Sequence, residues 1–290
     1  MSIQEEFRIR NVLPSHPDLH TFTSSKWMPT GAYLAYRWLL ALYISVDVIV
    51  DRLFFKRWYS FAFTFWGLIT LTLYLNLAAI LTTIKYVKTR LNLSDHAGIV
   101  SQSGEEGIST PGAAEDETFT PDGYMPKLYK LMWLLFNVCA VNSVIVSVGY
   151  WGLLHQKFGR QATIGLIGYL NINSHLINAV IMILDSMIHN VPVRIFHVVY
   201  STIYGLIYFF TTIIVWLASG RVAYFFLDYS KRPGIAAIVI VGGCFVVQPL
   251  IQLMHYGLYR ARIWLQGVLL DGTSVRGGGE VTALHMQSVA

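Results

Sequence analysis

Charge is scarce in this chain. Only 13% of its 290 residues are Asp, Glu, Lys or Arg, while 54% are hydrophobic. A soluble domain of this length carries about twice that charged fraction, so a water-soluble globular domain is excluded. Cysteine is nearly absent. Cys139 and Cys244 stand singly inside apolar runs, where a thiol acts as a small hydrophobe, so no disulfide framework is expected. The first 30 residues have no apolar h-region, so no cleaved signal peptide is expected and the first span must direct insertion. Short alternating strands are missing, which argues against a barrel. So is the inverted internal repeat of transporters. Phosphate loops and nucleotide motifs are absent too, and the net charge of +5 lies mostly in short connections. No cofactor, no metal and no nucleic-acid partner is therefore expected.

What the chain does have is long apolar runs. The expected fold class is all-α: a polytopic membrane helix bundle of six spans, near 32–50, 59–86, 128–154, 170–190, 195–218 and 236–259. The first of these is the weakest as a span, because it contains Arg37, Asp47 and Asp51. A polar, solvated segment 1–30 precedes it. Residues 91–124, with SQSGEEGISTPGAAEDETFTPDG inside, read as a disordered acidic loop. Residues 263–290 read as a flexible tail. Aromatics make up 14% of the chain, and Tyr and Trp crowd the ends of the runs as an interfacial belt would. Six spans put both termini on one side. With Arg37 and Lys130 allotted there, that side holds 13 of the 21 Lys and Arg residues, so the positive-inside rule places the termini in the cytosol. Whether the membrane is the plasma membrane or an endomembrane stays open.

The fourth run, LNINSHLINAVIMILDSMIHN, organises the rest. Asn171, His175, Asn178, Met182, Asp185 and His189 recur at spacings that share one helical face. Polar groups at membrane depth are costly and face the bundle interior. The stripe is therefore expected to turn inward, enclosed by stripes from the second, fifth and sixth spans. The fifth offers His197, Ser201, Tyr204, Tyr208 and Thr211; the sixth offers Gln248, Gln252, His255 and Tyr259. These are expected to supply interhelical hydrogen bonds, or to line a lipid-sized cavity. Pro249 is expected to bend the sixth helix. Arg37 and Asp51 are expected to snorkel towards the headgroups, whereas Asp47 lies deeper and needs a partner. Asp185 reads as an interfacial partner of His189 or Arg194. A metal shared by His175 and Asp185 is disfavoured, since ten residues of helix separate them by about 15 Å.

The motifs then point to a family. The segment HLINAVIMILD (residues 175–185), AYRW around Arg37, TFWG over 64–67 and YFFLDYSKRPG over 224–234 resemble the androgen-induced/FAR-17a superfamily, and most of all its rolling stone branch. The resemblance covers about residues 32–262. It implies six spans and, by likeness to the hydrolase members, cleavage of fatty acid esters of hydroxy fatty acids by a membrane-embedded Thr and His. Carried over by local alignment, these are Thr64 and His175, with Asn171 one turn before the His. Gly67 stands where the hydrolase branch has an acidic residue.

A Thr hydroxyl is a weak nucleophile and needs a base within hydrogen-bond reach. Neutral His175 is suited to that task, and Asn171 and Asn178 could orient its ring or donate to an oxyanion. The expected substrate is a lipid ester entering sideways from the bilayer. The plainer alternative has the Thr64 hydroxyl bonded to its own helix. It leaves a non-enzymatic protein of cell–cell fusion, which is the rolling stone branch's association with myoblasts, or of membrane organisation. A channel or transporter is a third class, disfavoured by the lack of repeats.

Overall fold

A computed structural model describes residues 6, 8–54, 61–102, 125–155 and 164–271, with the backbone alone for 9–10, 93–102 and 271. Six helices are long and apolar enough to cross a membrane: α1 Thr30–Phe54, α2 Phe63–Asn92, α3 Lys127–Leu154, α4 Gly165–Ile188, α5 Ile195–Ser219 and α6 Pro233–Leu270. Among the described residues there is no strand. The α2 backbone stays helical to Gln102, past the expected end near residue 86. The rest of the acidic loop, 103–124, and the tail from 272 lie outside the described residues.

The outward faces are apolar. Leu39, Leu42, Val46, Ile49 and Leu53 of α1 are exposed, as are Ile203, Ile207, Phe210, Ile214 and Leu217 of α5. Such a surface is unfavourable in water and natural against acyl chains. The polar residues lie inside, which is the reverse of a soluble bundle. The protein is an integral membrane protein.

The hub of the bundle is α3. Its apolar stretch is 61% enclosed, against 22% for α5 and α6, and it touches α2, α4, α5 and α6. Trp133, Phe136, Cys139 and Ala140 pack there against Leu68, Leu71 and Leu75 of α2 and Met182 of α4. The polar stripe of α4 therefore faces a helix that the stripe pattern did not single out. Apolar residues on all sides of α3 conceal its central position from a periodicity argument.

Three helices contain π-helical turns: Tyr150–Leu154 in α3, Asn173–Ile177 in α4, and both Gly243–Val247 and Gly267–Asp271 in α6. The Gly243–Val247 turn precedes Pro249, whose ring nitrogen cannot donate a helix hydrogen bond, so the wider turn adapts the ladder there. In α4 the wider turn absorbs an extra residue. Three consecutive polar side chains, Asn173, Ser174 and His175, consequently all turn inward. Gly220 ends α5 with φ +68, and its N–H donates to the Trp216 carbonyl. Left-handed backbone at this position favours glycine.

The N-terminal segment is packed, which corrects the expectation that it is solvated. Phe22 is fully buried, edge-on to Trp133 and Tyr129. Ser25 donates to the Ile188 carbonyl at 2.6 Å, and the Trp27 indole donates to the Met187 carbonyl at 2.8 Å. Both are end-of-helix carbonyls with no partner inside α4. The segment is thus a strap across the helix ends. Beyond residue 259, α6 stays helical because Arg262 and Gln266 are buried against the same end of α4. Arg262 donates to the Ser186 carbonyl at 2.8 Å, to the Val191 carbonyl at 3.0 Å and to the His189 carbonyl.

Candidate functional site

The Thr64 hydroxyl and His175 Nε2 lie 3.2 Å apart, and both residues are buried. Thr64 is in the first turn of α2. Thr70, Thr72 and Thr82 bond carbonyls one turn back in their own helix, but at the start of α2 no helix carbonyl precedes Thr64. Its hydroxyl bonds across to α4 instead. His175 Nδ1 lies 2.9 Å from the Asn171 carbonyl oxygen. A carbonyl can only accept, so Nδ1 carries the ring proton and Nε2 of the neutral ring presents a lone pair. The Thr64 O–H therefore donates to His175. That is the tautomer in which an imidazole can take a proton from a hydroxyl. Tyr150, in the π turn of α3, stacks on the imidazole with ring centroids 3.7 Å apart and planes 20° apart.

Asn171 thus acts through its backbone; its side chain is half-buried. Asn178 is buried, and its Nδ2 donates to the Ser174 carbonyl at 2.9 Å. That commits one of its two N–H groups to the helix. The residue that stripe reasoning missed is Tyr224, in the α5–α6 connection. Its hydroxyl accepts from the Phe63 backbone N–H at 2.9 Å and lies beside Thr64. Burial pushes this phenol up from its usual range. Only its place in the YFFLDYSKRPG motif hinted at a role.

A cavity of about 390 Å³ opens on Thr64. Its lining is almost wholly apolar or aromatic, including Tyr150, Leu153, Gly205, Phe209 and Ile238, with Gln248 at one edge. The fifth- and sixth-span stripes close the neighbouring interfaces. Tyr204 and Thr70 share a hydrogen bond at 3.0 Å, Tyr208 donates to the Phe61 carbonyl at 3.1 Å, Gln252 donates to the Arg194 carbonyl at 2.7 Å, and His255 Nε2 donates to the Ala140 carbonyl at 2.8 Å.

Arg37, Asp51 and Asp185 depart from expectation, while Asp47 finds the partner it was expected to need. Arg37 does not snorkel. It is fully buried and donates through one nitrogen to both oxygens of Asp185, at 2.8 and 3.0 Å. Asp185 is fully buried, not interfacial, and also accepts from Tyr36 at 2.9 Å and Tyr74 at 2.6 Å. Asp51, also buried, accepts from Ser174 at 2.9 Å. Asp47 accepts from Asn173, which in turn accepts from Tyr43. These three carboxylates find partners inside the bundle because leaving them unpaired in hydrocarbon costs far more than ordering the partners. His189 stands 3.9 Å from Asp185. Burial, aided by Arg262 and Arg37 and opposed by Asp185, holds its imidazole well below the usual range. Among the described residues, no three His, Cys, Asp or Glu side chains are arranged to hold a metal ion.

Comparison with known proteins agrees with the architecture. No solved structure matches. Protein rolling stone of Drosophila melanogaster is 24% identical over 273 residues, covering 90% of each chain. The family model described as Protein rolling stone matches residues 1–269, nearly the whole chain, and the protein therefore belongs to the rolling stone family of membrane proteins.

Proposed function

We propose that the protein is an intramembrane, cofactor-independent hydrolase of lipid esters, with Thr64 as nucleophile and His175 as general base. The observation that carries this reading is the Thr64–His175 pair in the productive tautomer at the mouth of an apolar cavity. The Thr64 oxygen attacks the ester carbonyl carbon while His175 Nε2 takes its proton. The tetrahedral intermediate collapses, and the leaving alkoxide takes that proton from His175. Water, deprotonated in turn by His175, then cleaves the acyl-threonine and regenerates the hydroxyl. The apolar cavity suits long-chain esters, of which fatty acid esters of hydroxy fatty acids are the class that the superfamily resemblance favours. The distribution of Lys and Arg supports cytosolic termini.

Turnover of a panel of long-chain esters by purified protein in nanodiscs tests the reading. Wild type hydrolyses at least one class, and Thr64→Ala and His175→Ala each lose activity by about 10³-fold or more. Equal turnover in all three proteins refutes it, and a non-enzymatic role in cell fusion or membrane organisation then takes its place.

A further inference from the structure

A second cavity, of about 10 Å³, also lies against Thr64. That is room for about one oxygen-sized occupant. Thr64 and Val146 line both cavities, so the small one opens directly off the proposed nucleophile. It is also lined by Gly67, Thr70, Cys139, Asn142, Ser143 and Asn178. Its polar groups differ in what they can give. The Thr70 hydroxyl donates to the Trp66 carbonyl at 2.8 Å, Ser143 to the Ala140 carbonyl at 3.3 Å, and Asn178 Nδ2 to the Ser174 carbonyl. Thr64 donates to His175. A Cys139 S–H is a weak donor. Asn142 on α3 is 1% exposed, and neither atom of its amide has a hydrogen-bond partner among the described residues.

From this geometry we infer that Asn142 is the oxyanion-binding residue of the proposed esterase. Of the two amides in the lining, Asn142 has both N–H groups uncommitted, whereas Asn178 already spends one of its two on the Ser174 carbonyl. An unpaired buried amide weakens a fold, so its position needs a use outside the fold. With the ester chains in the large cavity, the carbonyl oxygen enters the small one. As Thr64 adds to the carbonyl carbon, the C=O electron pair moves onto that oxygen and Asn142 Nδ2–H receives the charge.

This inference rests on the hydrolase reading, and the experiment separates the two. Wild type, Thr64→Ala, Asn142→Leu, Asn142→Asp and Tyr224→Phe are compared on a long-chain p-nitrophenyl ester in nanodiscs, with thermal midpoints measured in parallel. Asn142→Leu, of similar shape, lowers kcat by about 10²–10³-fold with KM within a few-fold. At the same time its thermal midpoint rises, because an unpaired amide has been replaced by an apolar group. Asn142→Asp keeps the size but replaces the amide with a carboxyl group, which donates only when protonated, so its kcat falls as pH rises. Full activity in Asn142→Leu beside an inactive Thr64→Ala overturns the assignment and leaves the hydrolase reading standing. So does loss confined to Tyr224→Phe, which moves the oxygen to the other side of Thr64. A lowered midpoint in Asn142→Leu means that the amide holds the fold, and overturns the assignment even without turnover data. An inactive wild type, or an active Thr64→Ala, ends both.

Discussion

Removing Asp185 should cost more than removing Arg37, although each is half of one ion pair. Both side chains are fully buried. In Arg37→Met, the Asp185 carboxylate keeps hydrogen bonds from Tyr36 at 2.9 Å and Tyr74 at 2.6 Å, and a carboxylate can also take up a proton. In Asp185→Leu, the guanidinium keeps the Tyr33 hydroxyl, to which its Nε donates at 2.8 Å, and the face of the Tyr33 ring 4.9 Å away. It cannot shed its charge. Breaking a buried pair by deleting one partner costs about 3–5 kcal/mol. Asp185→Leu belongs at the upper end of that range and Arg37→Met at or below the lower. At about 2–4 °C per kcal/mol for a chain of this size, the midpoint falls by roughly 10–20 °C for Asp185→Leu and by about half that for Arg37→Met. The double variant should cost no more than Asp185→Leu alone, since it leaves no stranded charge. Thermal unfolding of the four proteins in one detergent measures this cycle. Equal losses in the two single variants, or additive losses in the double, would refute the argument that charge, not lost contact area, sets the cost.

Three further outcomes follow from the geometry. Tyr150→Leu removes the ring stacked on His175 and lowers kcat by on the order of ten-fold, whereas Tyr150→Phe keeps the stack and the rate; steady-state turnover of the two separates them. His189 is held neutral in the folded state, so unfolding binds a proton once pH drops below its ordinary value of 6.5. Its share of stability is present above that value and is lost as pH falls, by up to about 1.4 kcal/mol per pH unit, and midpoints at pH 7.5 and 5 should fall less steeply for His189→Gln. A Cβ on Gly205 would meet Gln248 Nε2 at 2.7 Å and Cys244 Sγ at 3.4 Å. Gly205→Val therefore overpacks the α5–α6 contact by about 1–3 kcal/mol and narrows the large cavity. A chain-length profile should show long esters suffering more than short ones.

Much of this architecture could be read from residue order, and the reasons for the exceptions are physical. The six apolar runs and the inward stripe of α4 were legible because hydrocarbon enforces them one helix at a time. The Thr64 and His175 positions came from short motifs, and periodicity alone did not pair them. Asn173 and Ser174 escaped because a stripe argument assumes an unbroken α-helix, and the π turn shifts the phase by one residue. Of their partners, Asp47 was visible as an acid in need of one, whereas Asp51, one turn further along α1, was read as snorkelling. Arg37, Asp51 and Asp185 were misread because depth was judged from distance along each helix. A partner 148 residues away in sequence is a property of the packing, which no single run discloses. Asn142 was hidden for the same reason: it becomes conspicuous only once the packing shows that its amide alone in the lining has neither atom hydrogen-bonded.

The two buried clusters also sit at different depths. Asp185 lies near the N-terminal strap, while Thr64 meets α4 at His175, ten residues further from the strap. That is about 15 Å along the helix axis. Changes to the strap or to the buried charges therefore act on the fold well before they reach the Thr64 hydroxyl.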